Sequence, residues 1–127
     1  MRTARRFAFA ALIVAACSAS AGGDVSQETL LRQIESPEPP LVLDVRTPGE
    51  FATGRVPGAV NVPVGEVAQR IPALATSKDR DIVVYCEKGP RARQAQAALQ
   101  GAGFTSVRHL DGDMSAWREK QLPCEGC

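Results

Sequence analysis

An unbroken apolar run, Ile82-Val83-Val84-Tyr85, ends on Cys86 and opens into Glu87-Lys88-Gly89-Pro90-Arg91 before a helical pattern begins. A short run of this kind, apolar at every position, reads as a strand buried on both faces, which calls for a mostly parallel sheet covered by helices on each side. In such sheets, sites lie outside the carboxyl ends of the strands, where Cys86 falls. The loop after it holds two cations and a glycine. Successive N–H groups turned inward would form an anion nest, and the following helix would add the positive end of its dipole. Both favour a thiolate over a thiol. A merely structural cysteine at a strand end is the competing reading, since free cysteine is often buried. The cations, Gly89 and the helix weigh against it.

The helix is read from Ala92, Ala95, Leu99 and Ala102, a stripe of mostly small apolar residues that would let it lie close to the sheet, with Gly101 or Gly103 as a stop. Elsewhere the pattern predicts a helix over 26–34 capped by Asp24 or Ser26, a strand over 41–45, and a short helix at Pro48-Gly49-Glu50-Phe51. A further helix carrying Val64, Val67, Ile71 and Leu74 is expected to break near Pro72, with a strand over 106–110 and a last helix over 114–120. Alternating strands and helices give an α/β fold with a central, mostly parallel sheet and helices on both faces. With 127 residues and a net charge of +1, one domain is expected and no nucleic-acid surface. No repeat, heptad or long exposed apolar stripe is visible, and a monomer is expected.

The pattern Cys-x-x-Gly-x-Arg-Ala at 86–92 resembles the active-site loop of the rhodanese-like sulfurtransferases, and three other segments agree in order and spacing. They are Leu41-Val42-Leu43-Asp44-Val45-Arg46 followed by Glu50-Phe51, then Gly54-Arg55-Val56-Pro57-Gly58-Ala59, and Leu110-Asp111-Gly112 with Ala116-Trp117. The resemblance implies a rhodanese-like fold and a persulfide carried on Cys86, without a cofactor or metal. Thiosulfate or a similar small sulfur anion would be the donor, and a thiol or cyanide the acceptor. Backbone N–H groups of 87–92, including Glu87, Gly89 and Ala92, would hold the sulfur, and Arg91 and Lys88 the anionic end of the substrate. Asp44, Arg46, Glu50 and Trp117 read as structural, with Glu50 expected to pair with Arg46. Lys88 reads equally well as a solvated loop charge. His109 is assigned packing or surface duty.

Two positions depart from the family pattern. Arg55 stands where a histidine is common, and Asp113 where a second glycine is common, which puts the local turn in question. Cysteine phosphatases and arsenate reductases resemble the same fold, but they place five residues between Cys and Arg. Here there are four, Glu87 to Pro90, a tighter cradle suited to sulfur. A non-catalytic binding or sensing module is the other alternative.

Residues 1–23 have the layout of a signal peptide: Arg2, Arg5 and Arg6, then an apolar stretch over 7–16, then small residues. Export, to the periplasm, is expected. Val14-Ala15-Ala16-Cys17 resembles a lipobox, which would make Cys17 a lipidated first residue and a membrane attachment, whereas Ala19-Ser20-Ala21 suits ordinary release. Outside the cytoplasm disulfides persist. After the domain at 24–120, the tail 121–127 ends in Cys124-Glu125-Gly126-Cys127. Three readings stand: a local disulfide, which is preferred, a dithiol relay to Cys86, or half a metal site. The last falls short of a four-ligand set.

Overall fold

Among the described residues, five strands, all paired in parallel, lie in the order Gly23–Val25, Val107–Leu110, Ile82–Tyr85, Leu41–Asp44 and Val60–Asn61, which puts the strand that leads to Cys86 at the centre. The structure, a computed structural model, describes residues 23–74 and 78–127, so the expected signal peptide and Cys17 lie outside the described residues. In chain order the elements are β1 (Gly23–Val25), α1 (Gln27–Ile34), β2 (Leu41–Asp44), α2 (Pro48–Ala52), β3 (Val60–Asn61), a 3-10 turn (Val64–Glu66), α3 (Val67–Leu74), β4 (Ile82–Tyr85), α4 (Pro90–Gly101), β5 (Val107–Leu110) and α5 (Asp113–Glu119).

Side chains alternate across the sheet with the strand period, and each face has its own core. Leu43, Val45, Ile82 and Val84 pack with Ala92, Ala95 and Leu99 of α4 and Val67 of α3. Val42, Val83 and Tyr85 point the other way, onto Leu30 of α1 and Met114 and Trp117 of α5. The sheet is thus covered on both sides, as the apolar run over 82–85 requires.

Ser26 caps α1, its hydroxyl accepting from the Thr29 N–H. The small stripe of α4 is buried at Ala92, Ala95 and Leu99, but Ala102 is exposed and follows the helix end, its N–H donating to the Ala98 carbonyl. Pro72 does not break its helix. With α3 only beginning at Val67, the helix continues past the proline to Leu74. The strand β1 has no counterpart in the sequence reading, which starts the domain at 24.

The tail docks on the domain. Trp117 is fully buried and its indole N–H donates to the Pro123 carbonyl, while Arg55 and Glu125 exchange backbone hydrogen bonds. Cys124 and Cys127 are joined as a disulfide. Their sulfurs lie against Gly54, at φ +141, where a Cβ would collide with the Cys127 sulfur. This close approach requires glycine.

Candidate active site

Cys86 follows directly on β4, is 1 % exposed, and is the one free cysteine among the described residues. Its peptide is tied at both ends to the start of α5. The Cys86 N–H donates to Asp113 Oδ1 at 3.0 Å, and the Cys86 carbonyl accepts from the Met114 N–H at 3.0 Å. The Ser115 N–H in turn binds the Glu87 carbonyl. The chain then turns back at Gly89, whose φ of +118 suits glycine, and the Gly89 N–H donates to the Cys86 Sγ at 3.0 Å. That amide is the direct hydrogen bond the loop gives the sulfur. Pro90 opens α4 at a position where its missing N–H costs nothing.

The other loop residues have distinct roles. Glu87 is half-buried and its carboxylate bonds Arg46 Nη1 at 3.3 Å and Arg118 Nη1, anchoring the loop to the domain. Lys88 is exposed, beside a cleft that Gly89, Pro90, Arg93 and His109 also line. Ala92 is buried in the core with Cys86. Arg91 lies on the first turn of α4 and carries a bidentate pair with Glu50, at 2.6 and 3.0 Å.

The Arg91–Glu50 pair corrects the expected partnership of Glu50 with Arg46. Thr47 and Glu50 form a capping box at the start of α2, the Glu50 carboxylate accepting from the Thr47 N–H, and this holds Glu50 toward α4. Arg46 instead turns into the core, with its side chain fully buried against Asp44. The Arg91 hydrogen bonds pull the Glu50 carboxyl down to about 2 against the opposing effect of burial, with Thr47 adding to the shift. Arg91 is held more firmly protonated, first by its hydrogen bonds to Glu50 against burial, then by the charges of Glu50 and the Cys86 sulfur. A carboxylate depressed in the fold stabilises above its unfolded value and loses that contribution as pH falls through the folded one. Stability is therefore expected to decline between about pH 4.5 and 2. In Glu50→Gln this part of the acid slope should be missing from urea midpoints measured across that range; an unchanged slope would show the pair to be energetically silent.

Two residues take places the sequence did not suggest. His109, expected to be packing or surface, is buried with Nε2 at 2.9 and 3.0 Å from the Asp113 carboxylate oxygens. Asp113, noted only for its turn, sits at φ +55 and reaches the Cys86 amide. Among the described residues, no cluster of three or more His, Cys, Asp or Glu could hold a metal ion.

A central strand that ends on a buried cysteine, with a glycine amide on its sulfur and a cationic helix start beside it, defines an α/β protein built around one held thiol. The chain belongs to the rhodanese-like domain family, which residues 26–120 match. It is similar to a sulfurtransferase of Allochromatium vinosum, 36 % identical over 100 residues that cover 79 % of this chain and 92 % of that one. The human single-domain sulfurtransferase TSTD1 superposes with a TM-score of 0.68 at 29 % identity, over 77 % of this chain and 96 % of that one. Some relatives are longer. The chain spans 44 % of the HTH-type transcriptional regulator Rv0324 of Mycobacterium tuberculosis, at 39 % identity over 103 residues and 80 % of its own length. The family is one of sulfur transfer from a donor to a thiol acceptor.

Proposed function

We propose that this protein is a thiosulfate-type sulfurtransferase acting through a persulfide on Cys86. The Cys86 thiolate attacks the outer sulfur of thiosulfate, the S–S bond breaks, and sulfite leaves with its electron pair. A thiol or cyanide then attacks the outer sulfur of the persulfide, takes it as a new persulfide or as thiocyanate, and returns the Cys86 thiolate. The Gly89 N–H, 3.0 Å from Sγ, is the observation that carries this reading, because a preorganised donor stabilises negative sulfur without reorganising. Arg91 attracts the anion with its charge and with the N–H groups that Glu50 leaves free. Lys88 adds charge at the rim. Burial of Cys86 favours a small donor that presents a terminal sulfur and shields the thiolate from oxidants.

On this reading the protein acts as an exported, periplasmic monomer, held to a membrane by lipid if Cys17 is the first mature residue. A thiosulfate or persulfide donor and a thiol acceptor are all the partners it needs. Incubation with thiosulfate should raise the intact mass by one sulfur atom on the Cys86 peptide, and cyanide should remove it with release of thiocyanate. Absence of both the adduct and any turnover would leave the chain a binding or sensing module.

A further inference from the structure

The Cys86 amide is bound by a side chain that the family pattern does not foresee. Asp113 holds a left-handed backbone that favours glycine, yet it keeps a carboxylate buried to 2 % exposure. That carboxylate accepts from the Cys86 N–H at 3.0 Å and faces His109 Nε2 with both oxygens. It also lies directly beneath the loop, since a Cβ at Gly89 would meet Asp113 Oδ2 at 3.2 Å and His109 Cε1 at 3.7 Å. His109 has a second carboxylate on its other side. The parallel register of β1 and β5 sets Asp24 against His109, with Nδ1 3.5 Å from Asp24 Oδ1. Nδ1 is buried and has no hydrogen-bond partner among the described residues, so Asp24 acts on it through the ion pair.

We propose that Asp113 is a positioning residue for the Cys86 nucleophile and that His109, clamped between Asp24 and Asp113, fixes that carboxylate, so that the His109 proton is coupled to the reactivity of the sulfur. The carboxylate holds the Cys86 peptide from one side while the Met114 N–H holds its carbonyl, and the direction of the Cα–Cβ bond follows from the two together. An imidazolium keeps both Asp113 oxygens in place by charge. The neutral ring can still donate one hydrogen bond, but a weaker one.

The groups around the ring push its titration in both directions, and the two carboxylates outweigh the rest. Asp113 of α5 raises the His109 value through its hydrogen bonds, burial opposes it, and the charges of Asp113 and of Asp24 on β1 raise it further. Arg93 of α4 lowers it, and Lys88 and Asp111 stand at the mouth of the same cleft with opposite signs. The net shift is upward from 6.5. The coupling is therefore strongest below that value and fades as pH rises through the titration.

The inference rests on Cys86 as the nucleophile of the proposed reaction, and its test separates the two by reading reactivity without a sulfur donor. The rate of Cys86 alkylation by iodoacetamide is followed by peptide mass against pH, alongside persulfide formation from thiosulfate. Asp113→Gly relieves the backbone and removes the acceptor; both rates should change by about tenfold, with persulfide formation slowed. His109→Gln retains a donor to Asp113 that does not titrate. The ratio of wild-type to His109→Gln rates should be level at low pH and change above the His109 titration. Asp113→Asn keeps an acceptor for the amide but not the charge, and should move that change to lower pH. A ratio flat across the whole range, or an Asp113→Gly protein with wild-type alkylation, would overturn the proposal. Normal pH behaviour of alkylation in a protein that never forms a persulfide would instead refute the sulfurtransferase reading and leave the coupling intact.

Discussion

Cys86→Ser is expected to abolish persulfide formation and to lower sulfur transfer on the order of a thousandfold or more, while leaving the fold in place. The proposed reaction stores sulfur as a covalent S–S bond, and an oxygen nucleophile cannot form that bond. A hydroxyl is also largely un-ionised at neutral pH, so the attack itself fails. A thousandfold loss corresponds to about 4 kcal/mol of transition-state stabilisation. Serine is smaller than cysteine by little and its Oγ can still accept from the Gly89 N–H, which donates to Sγ at 3.0 Å. Thermal unfolding should therefore stay within about 1 kcal/mol of wild type. The measurement is thiocyanate release from thiosulfate and cyanide, paired with intact mass. Retention of a tenth of the wild-type rate would mean that sulfur passes through another group, of which the Cys124–Cys127 pair is the first to examine.

The backbone of this site could be read from sequence because its signals are local. The run over 82–85 has no polar break, so its burial on both faces follows, and Cys86 must then lie at a strand end. Ala92, Ala95 and Leu99 recur at helical spacing and are buried. Nearness in sequence points Glu50 to Arg46, whereas the capping box with Thr47 turns the carboxylate across to α4 and a residue 41 positions away. Nothing in the local pattern carries that distance. The three residues of β1 are too few to show a period, and their role depends on pairing with β5. Asp113 was legible as an anomaly in a turn but not as a contact. Its meaning depends on β4 and β5 being neighbours, which brings the amide of Cys86, 27 residues earlier, under its carboxylate. Long-range polar contacts of this kind leave only a departure from pattern in the sequence.

Arg46→Met should destabilise the protein by about 3–5 kcal/mol, a large part of the roughly 5–15 kcal/mol that holds a domain together. The side chains of both Arg46 and Asp44 are fully buried, and Arg46 bonds the Asp44 carboxylate through Nε and Nη2, the latter at 2.6 Å. Burial opposes the charge on Arg46, but the hydrogen bonds and charge of Asp44 outweigh it and hold the guanidinium firmly protonated. The same guanidinium donates to the Gly54 carbonyl at 2.7 Å and to Glu87 Oε2 at 3.3 Å. Methionine would fill part of the volume and leave Asp44 as a buried charge whose remaining side-chain partner is the Tyr85 hydroxyl at 2.8 Å. The uncompensated charge, rather than the lost pair, dominates the cost. Lysine should not rescue the protein, because a single ammonium cannot reach Asp44, Gly54 and Glu87 at once. The diagnostic variant is the double change Asp44→Asn with Arg46→Met, which removes both charges and should recover at least about half of the loss. Urea unfolding of the two singles and the double forms the cycle. If Arg46→Met lies within about 1 kcal/mol of wild type, the buried pair is not what holds this end of the sheet. Where the loss is as large as expected, sulfur transfer should also fall in the surviving folded fraction. Arg46 is one of the two arginines that anchor Glu87, the residue next to Cys86, and it binds the Gly54 carbonyl beneath the docked tail.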